Sequence, residues 1–359
     1  MDSVFNIGGR MKRKYAAKFV GGGRLTMAAG ACLSMLSTGV LAASDPVPAT
    51  VEQAKEVPKA ITAAFGALIV NQSTTEMTNN ITGAFTGGSA NRFALTGPTG
   101  AAAAPGGQKW NAWVAYSQSK VGYTPMQANG TVDVGVVGVD YALSNNVILG
   151  VALAGDRTRI STGFNGGSLN GNGYTISPYI GVAISRSLTL DATLGTGRTK
   201  QDLNVGAGVT GSLTNRRTVG SIGLSYRHQG GGNWQFTGRG ALLAVEDRLG
   251  AFTLSNGGLV SDGTVNVTQM RLSGQAGYKM GAVTPYVGLT YVYDIHRTNI
   301  QPFAGQLQTP ANDRDAWTPV IGLRFNSAGS LYGGIQYSSE QSRSQVKNNQ
   351  ILLNLGIRF

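Results

Sequence analysis

Ile351-Leu352-Leu353-Asn354-Leu355-Gly356-Ile357-Arg358-Phe359 is the stretch on which the reading of the fold turns. Ile351, Leu353, Leu355, Ile357 and Phe359 recur at every second position, with polar or small residues at most of the places between them. Side chains of a strand point alternately to its two faces, so this spacing predicts a strand with one apolar side.

The same alternation runs upstream to Trp110. Leu188, Leu190, Ala192 and Leu194 alternate with Thr189, Asp191 and Thr193, and Val287, Leu289, Tyr291, Tyr293 and Ile295 with Gly288, Thr290, Val292, Asp294 and His296. Clusters of Gly, Asn, Ser and Pro divide residues 110–359 into twelve candidate strands: 110–120, 130–143, 147–160, 172–185, 187–199, 213–227, 233–246, 263–279, 282–297, 313–325, 330–343 and 347–359. Short connections (144–146, 186, 228–232, 280–281, 326–329) alternate with longer ones (121–129, 161–171, 200–212, 247–262, 298–312). Short turns on one side and long loops on the other are the habit of an outer-membrane barrel, and an even strand number returns both ends to the periplasmic side. Lipid offers a backbone no hydrogen-bond partner, and without a later apolar span of some 20 residues only a closed barrel can cross. Tyr141, Trp234, Phe236, Tyr278, Trp317 and Phe325 near strand ends predict aromatic girdles.

Composition agrees with an all-β transmembrane antiparallel barrel. Only 13% of residues are charged, 53 of the 359 are glycine, and 42% are hydrophobic, which speaks against both an ordinary soluble enzyme and a disordered chain. Arg10, Lys12, Arg13, Lys14, Lys18 and Arg24 precede an uncharged stretch, Leu25 to Ala43, that ends Val40-Leu41-Ala42-Ala43. Residues 1–43 therefore read as a cleaved signal peptide, and the protein as exported. The single cysteine, Cys32, falls within it. Removing six bases and Asp2 from 29 and 17 leaves 23 basic against 16 acidic residues, a net charge of +7. Residues 44–109 form a short N-terminal region. Pro46, Pro48 and Pro58 mark its beginning as a linker, the spacing of Ile61, Phe65, Leu68, Ile69, Met77, Ile81, Ala84 and Phe85 predicts a helix over 61–85, and Ala101 to Gly107 reads as a spacer.

Residues 110–359 resemble the autotransporter β-domain, the twelve-stranded translocator of type V secretion. The features that carry the resemblance are Trp110-Asn111-Ala112-Trp113, Gly138-Val139-Asp140-Tyr141-Ala142-Leu143-Ser144-Asn145-Asn146 running into Leu149-Gly150-Val151-Ala152, Tyr174 through Pro178-Tyr179, and Phe359. The resemblance implies a helix inside the pore, which maps to about 61–85. It also implies the outer membrane of a Gram-negative bacterium. The family's long passenger has no counterpart between the signal and Trp110, so a translocator or pore role with little or no passenger is expected; a small channel or a loop-based surface-binding protein is the alternative. Ile351, Leu353, Leu355, Ile357 and Phe359 are expected to be an assembly signal read by the barrel-assembly machinery through strand pairing.

Catalytic chemistry is not expected. Asp294 and His296 share a strand face in the simple alternation and could form a hydrolytic dyad, but a second acidic pair is missing. Gly206, Gly208 and Gly211 match Gly-x-Gly-x-x-Gly in a loop with no helix after it, so no nucleotide site follows. No cofactor, metal or nucleic-acid partner is expected, and the chain is read as a monomer.

Charge placement carries more. Lys120, Arg157, Arg159, Arg198, Lys200, Arg216 and Arg217, with Arg248, Arg297, Arg314, Arg343 and Lys347, lie at strand ends beside the long loops. The first seven are expected to contact lipopolysaccharide phosphates, for which bidentate guanidinium groups suit. Asp140, Asp191, Arg227, Arg239, Arg271, Asp294, Arg324 and Arg358 are expected to make a polar lumen of mixed sign.

Overall fold

A computed structural model of the chain describes residues 46–86, 109–303, 305–327 and 330–359. The expected signal peptide and the Ala101 to Gly107 spacer lie outside these residues. One helix, α1 (Pro46–Thr86), precedes fourteen strands. They are β1 (Trp110–Tyr123), β2 (Ala128–Ser144), β3 (Val147–Thr162), β4 (Gly167–Ala183), β5 (Leu188–Asn204), β6 (Thr210–Gln229), β7 (Trp234–Leu249), β8 (Phe252–Thr253), β9 (Leu259–Val260), β10 (Gly263–Tyr278), β11 (Val283–Arg297), β12 (Asp315–Asn326), β13 (Leu331–Ser339) and β14 (Val346–Arg358). Twelve of them close an antiparallel barrel, each pairing with its neighbour in sequence, and β8 with β9 makes a small hairpin between β7 and β10.

Closure rests on the sequence with which the reading began. β14 pairs with β1 from Asn111↔Arg358 to Tyr123↔Val346, and Trp110 and Phe359 exchange both backbone bonds at 3.0 Å. Ile351, Leu353, Leu355, Ile357 and Phe359 all point outward and are exposed. Ring contacts gather near strand ends, Trp110 on Tyr141 at 4.8 Å, Trp234 on Tyr278 at 5.2 Å and Tyr291 on Trp317 at 4.7 Å between centroids. No described helix is long and apolar enough to cross a membrane, which says nothing of strands.

Below, the near rim is the one holding Trp110 and Phe359, and the far rim is the opposite one. The near-rim turns are short, as expected. Three of the five long loops are not loops: the chain turns within Thr124–Gln127, 163–166 and 205–209, and the rest of each stretch prolongs its strands. β6 has 20 residues and at about 3.4 Å each runs roughly 68 Å, while crossing some 30 Å of hydrocarbon at a tilt near 40° takes only about 39 Å. The far ends of such strands stand clear of lipid, so their outer faces turn polar. On β5 these outer residues are Thr196, Arg198, Lys200 and Asp202.

The helix is a larger correction. It spans 41 residues from Pro46, about 62 Å at 1.5 Å per residue, where a linker was expected before residue 61. Pro46 and Pro48 fall in its first turn, where backbone N–H groups have no partner inside the helix and proline costs little. Pro58 removes only the bond to the Ala54 carbonyl, and Ala54, Val57, Ala60 and Ile61 around it are all buried.

Candidate functional site

The lumen is where the polar residues of the inner faces and the helix meet. Polar helix side chains fasten α1 to the wall. Gln72 accepts from Ser117 Oγ at 2.7 Å and donates to Ser119 Oγ at 3.0 Å, both on β1. Glu76 accepts from the Asn354 amide on β14 at 2.7 Å, and Thr78 donates to Asp191 on β5 at 3.4 Å. The Tyr332 hydroxyl on β13 lies between the side-chain oxygens of Asn80 and Asn111, 3.0 Å from the latter. Apolar contact adds a knob: Ile81 fills the space over Gly181, where a Cβ would come within 2.2 Å of its Cγ2. Gly66 passes Asp247 closely enough that a Cβ would sit 3.3 Å from the carboxylate.

The wall sorts its charges into tight groups. Arg217 is 3% exposed and forks onto Asp247 at 2.9 and 3.2 Å, with Asp156 at 3.5 Å. This overturns its assignment as a lipopolysaccharide contact. Arg216 and Arg217 are neighbours in a strand, so one must face out and the other in; the inner face supplies Arg217 with carboxylates. Arg239 pairs with Asp191 and lies flat over Gly223, the residue type that leaves room for it. Asp140 accepts from Asn111 at 2.9 Å and from Tyr179 at 3.0 Å, while Trp113 donates to the Tyr179 hydroxyl at 3.0 Å. Glycines again make space, Gly138 under Trp113 and Gly150 under Tyr179. Arg324 lies over Tyr286 and Arg358 over Tyr332 at 3.9 and 4.4 Å. All the expected lumen residues point inward or are partly buried. The sequence reading missed Gln72, Glu76, Asp156, Asp247 and Glu340; the last three were findable as residues on inward-facing parity beside assigned arginines.

Asp294 and His296 do not form a pair. A register irregularity in the β10–β11 ladder leaves Asp294 opposite Gln269 and His296 opposite Thr268, and His296 is exposed. Asp294 instead accepts from Gln269 at 2.8 Å, from Arg343 at 3.0 Å and from Arg297 at 3.4 Å. Arg297 and Arg343 thus also turn inward from the far rim. Gly206 (φ +90) and Gly208 (φ +76) form the tight turn between β5 and β6. Among the described residues no cluster could hold a metal ion.

At the far rim the lumen is closed by apolar contact. Ala54, Val57, Met126, Leu254, Val260 and Phe303 are buried together, with Val51, Phe164 and Phe252 packed against them. Phe164 meets Phe303 edge-on at 5.6 Å, and a Cβ at Gly258 would strike Val51 at 2.7 Å, so the hairpin touches the first turns of the helix. Two further connections are clasped at Asp313, which accepts from the Ser344 backbone at 2.7 Å and from its hydroxyl; these bonds hold the carboxyl below its ordinary range.

Outside, Lys120, Arg157, Arg159, Arg198, Lys200 and Arg216 are all exposed. Arg198 stands directly across from Arg216 in the β5–β6 ladder, and Arg216 across from Arg248 in the β6–β7 ladder. Like charges so placed repel.

The family pattern described as Autotransporter beta-domain matches residues 112–338. No curated protein sequence matches. Among solved structures, the chain is similar to the translocator domain of the autotransporter NalP from Neisseria meningitidis, at 12% identity and a TM-score of 0.63, covering 84% of this chain and 100% of that one. It is also similar to the beta domain of the Bordetella autotransporter Brka, at 15% identity and 0.60, covering 70% and 100%. The transport unit of AIDA-I from Escherichia coli follows at 13% and 0.51, covering 80% and 98%. These identities speak for the fold alone; the family pattern spans well over half of the sequence, and with it the chain belongs to the autotransporter β-domain family.

Proposed function

We propose that the protein is a sealed outer-membrane translocator barrel, exported by a signal peptide at residues 1–43, with its far rim at the cell surface and its pore closed by its own helix. The observation that carries this reading is the path of α1. Its first turns lie under the far-rim hairpin, and Asn80 reaches the near-rim residues Tyr332 and Asn111, so one segment threads the whole lumen. A single cysteine at each rim tests the orientation, since Cys32 lies within the proposed signal. Ser255→Cys, in the β8–β9 turn, should react with a membrane-impermeant maleimide on intact cells, and Asn145→Cys, in a near-rim turn, only after permeabilisation. The reverse pattern would overturn the assignment.

The exposed basic band supports lipopolysaccharide as a neighbour at the same rim. Outer residues of β5 pass from Leu188, Leu190, Ala192 and Leu194 to Thr196, Arg198 and Lys200, so the cations begin just beyond the apolar belt, at the depth of lipid phosphates. An anion shared by Arg198 and Arg216 would relieve their repulsion, whereas Arg248 beside them already pairs with Glu246 at 2.6 Å. Changing Arg157, Arg159, Arg198 and Arg216 together to Gln should lower the lipopolysaccharide retained on purification several-fold without altering the melting temperature by more than a few degrees. Equal lipopolysaccharide content in variant and parent would reduce the band to a solubilising surface.

A further inference from the structure

Plugging leaves part of the lumen open. Between α1 and the inner faces of β6, β7 and β10–β14 lies a chamber of about 340 Å³ that reaches the near-rim turn at Lys279 and ends, toward the far rim, at Glu340 and Arg343. Seven basic side chains line it, and Glu340 is its single carboxylate among the described residues. Asp191 and Asp294 hold Arg239 and Arg343 from the wall, and Glu76 turns to Asn354.

Arg271 and Arg324 stand out within that excess. Arg271 donates to the Gln269 side chain at 3.2 Å, and Arg324 reaches Gln275 and the Tyr286 ring. Neither has a carboxylate within 4.0 Å among the described residues. Arg227 repels Arg324, and Arg239 and Arg343 repel Arg271, while Glu340 and Asp294 attract Arg271 and Glu76 attracts Arg324 across the same space. The helix turns Thr74, Thr75 and Asn79 toward the chamber, groups that can donate but carry no countercharge. Cations gathered at the C-terminal end of α1 would answer its carbonyl dipoles, an effect confined to the last turn. Arg271 is out of that reach. It lies two residues from Gln269, which pairs with Leu243, and Leu243 packs on Val70, about four turns before the helix ends at Thr86.

We infer that the chamber binds a small multivalent oxyanion, of phosphoryl or carboxylate type, with Arg271 and Arg324 as its principal donors. Guanidinium groups match either oxyanion through paired N–H bonds, and a partly desolvated site strengthens them. The inference stands whichever rim faces the cell surface.

Calorimetric titration of the full chain folded in detergent, with pyrophosphate and separately with tricarballylate, tests it. One site per chain is expected for at least one probe, weakened at least tenfold in Arg271→Gln/Arg324→Gln, only partly restored in Arg271→Lys/Arg324→Lys, where an ammonium keeps the charge without the paired N–H bonds, and unchanged in Arg186→Gln, an exposed near-rim residue outside the chamber. Tighter pyrophosphate binding marks a phosphoryl ligand, and tighter tricarballylate binding a carboxylate one. If the glutamine pair fails to fold, Arg271→Gln alone takes its place. Absence of saturable binding of both probes overturns the inference. So does parental affinity in a folded glutamine variant, or an equal loss in Arg186→Gln.

Discussion

Removing residues 44–105 is expected to raise single-channel conductance in planar bilayers several-fold and to lower the melting temperature of the barrel. A helix with its side chains is a cylinder about 10–12 Å across, and here it occupies the lumen along its length. Its loss joins the chamber to the space left behind and also opens the apolar closure around Ala54 and Val57. Buried side chains such as Ile61, Phe65, Ile69, Met77 and Ile81 each contribute about 1.5–3 kcal/mol by burial, so the thermal effect should be large. A finer variant separates plugging from gross truncation. Gly181→Leu fills the hollow that receives Ile81 and should displace the last turns of α1 while every strand pair stays in place. Its conductance should lie between those of parent and truncation. A truncated barrel that conducts no better than the parent would show that α1 does not block the pore.

The second large effect is expected at the closing ladder. Phe359→Asp, or deletion of Phe359, should reduce outer-membrane insertion at least several-fold, read as loss of the heat-modifiable band. Phe359 exchanges both backbone bonds with Trp110, and its ring continues the exposed apolar face of Ile351, Leu353, Leu355 and Ile357. Deletion removes the last pair of the seam; aspartate keeps the backbone but places a charge on the lipid side, which costs about 2–4 kcal/mol for basic residues at the midplane and less for acidic ones near an interface. Assembly should therefore suffer more from deletion than from Phe359→Ala. Undiminished heat-modifiable mobility in the deletion variant would argue against an assembly role for this residue.

The strands were legible because each face of the wall meets one medium, so a period of two survives over whole strands such as β5 and β14. Parity failed where that simplicity ends. Arg217 was grouped with Arg216 because both lie near a strand end, although adjacent positions cannot share a face. His296 was placed with Asp294 by counting twos through a ladder that shifts register. The length of α1 was hidden because proline was read as a breaker, whereas Pro46 and Pro48 sit at its start and Pro58 is carried by packing on all sides. The loops at 121–129, 161–171 and 200–212 were overestimated because strands that leave the lipid lose the apolar half of their pattern while keeping their backbone pairing. Gln72 and Glu76 are single polar residues on a helix, and only the wall opposite gives them a role.

The positions of those two residues bear on the order of events during biogenesis. Gln72 is bonded to β1 and Glu76 to β14, and Tyr332 beside Asn80 also reaches Asn111 on β1. The helix therefore works as a clasp drawn across the one joint where the two ends of the sheet meet. A finished hoop admits such a clasp only lengthwise, past the crowded far mouth or the near-rim side chains, whereas an unjoined sheet can wrap it from the side. Docking of the helix before the joint zips shut is then the unobstructed route, and the same bonds that occlude the channel help keep the wall from parting sideways into the bilayer.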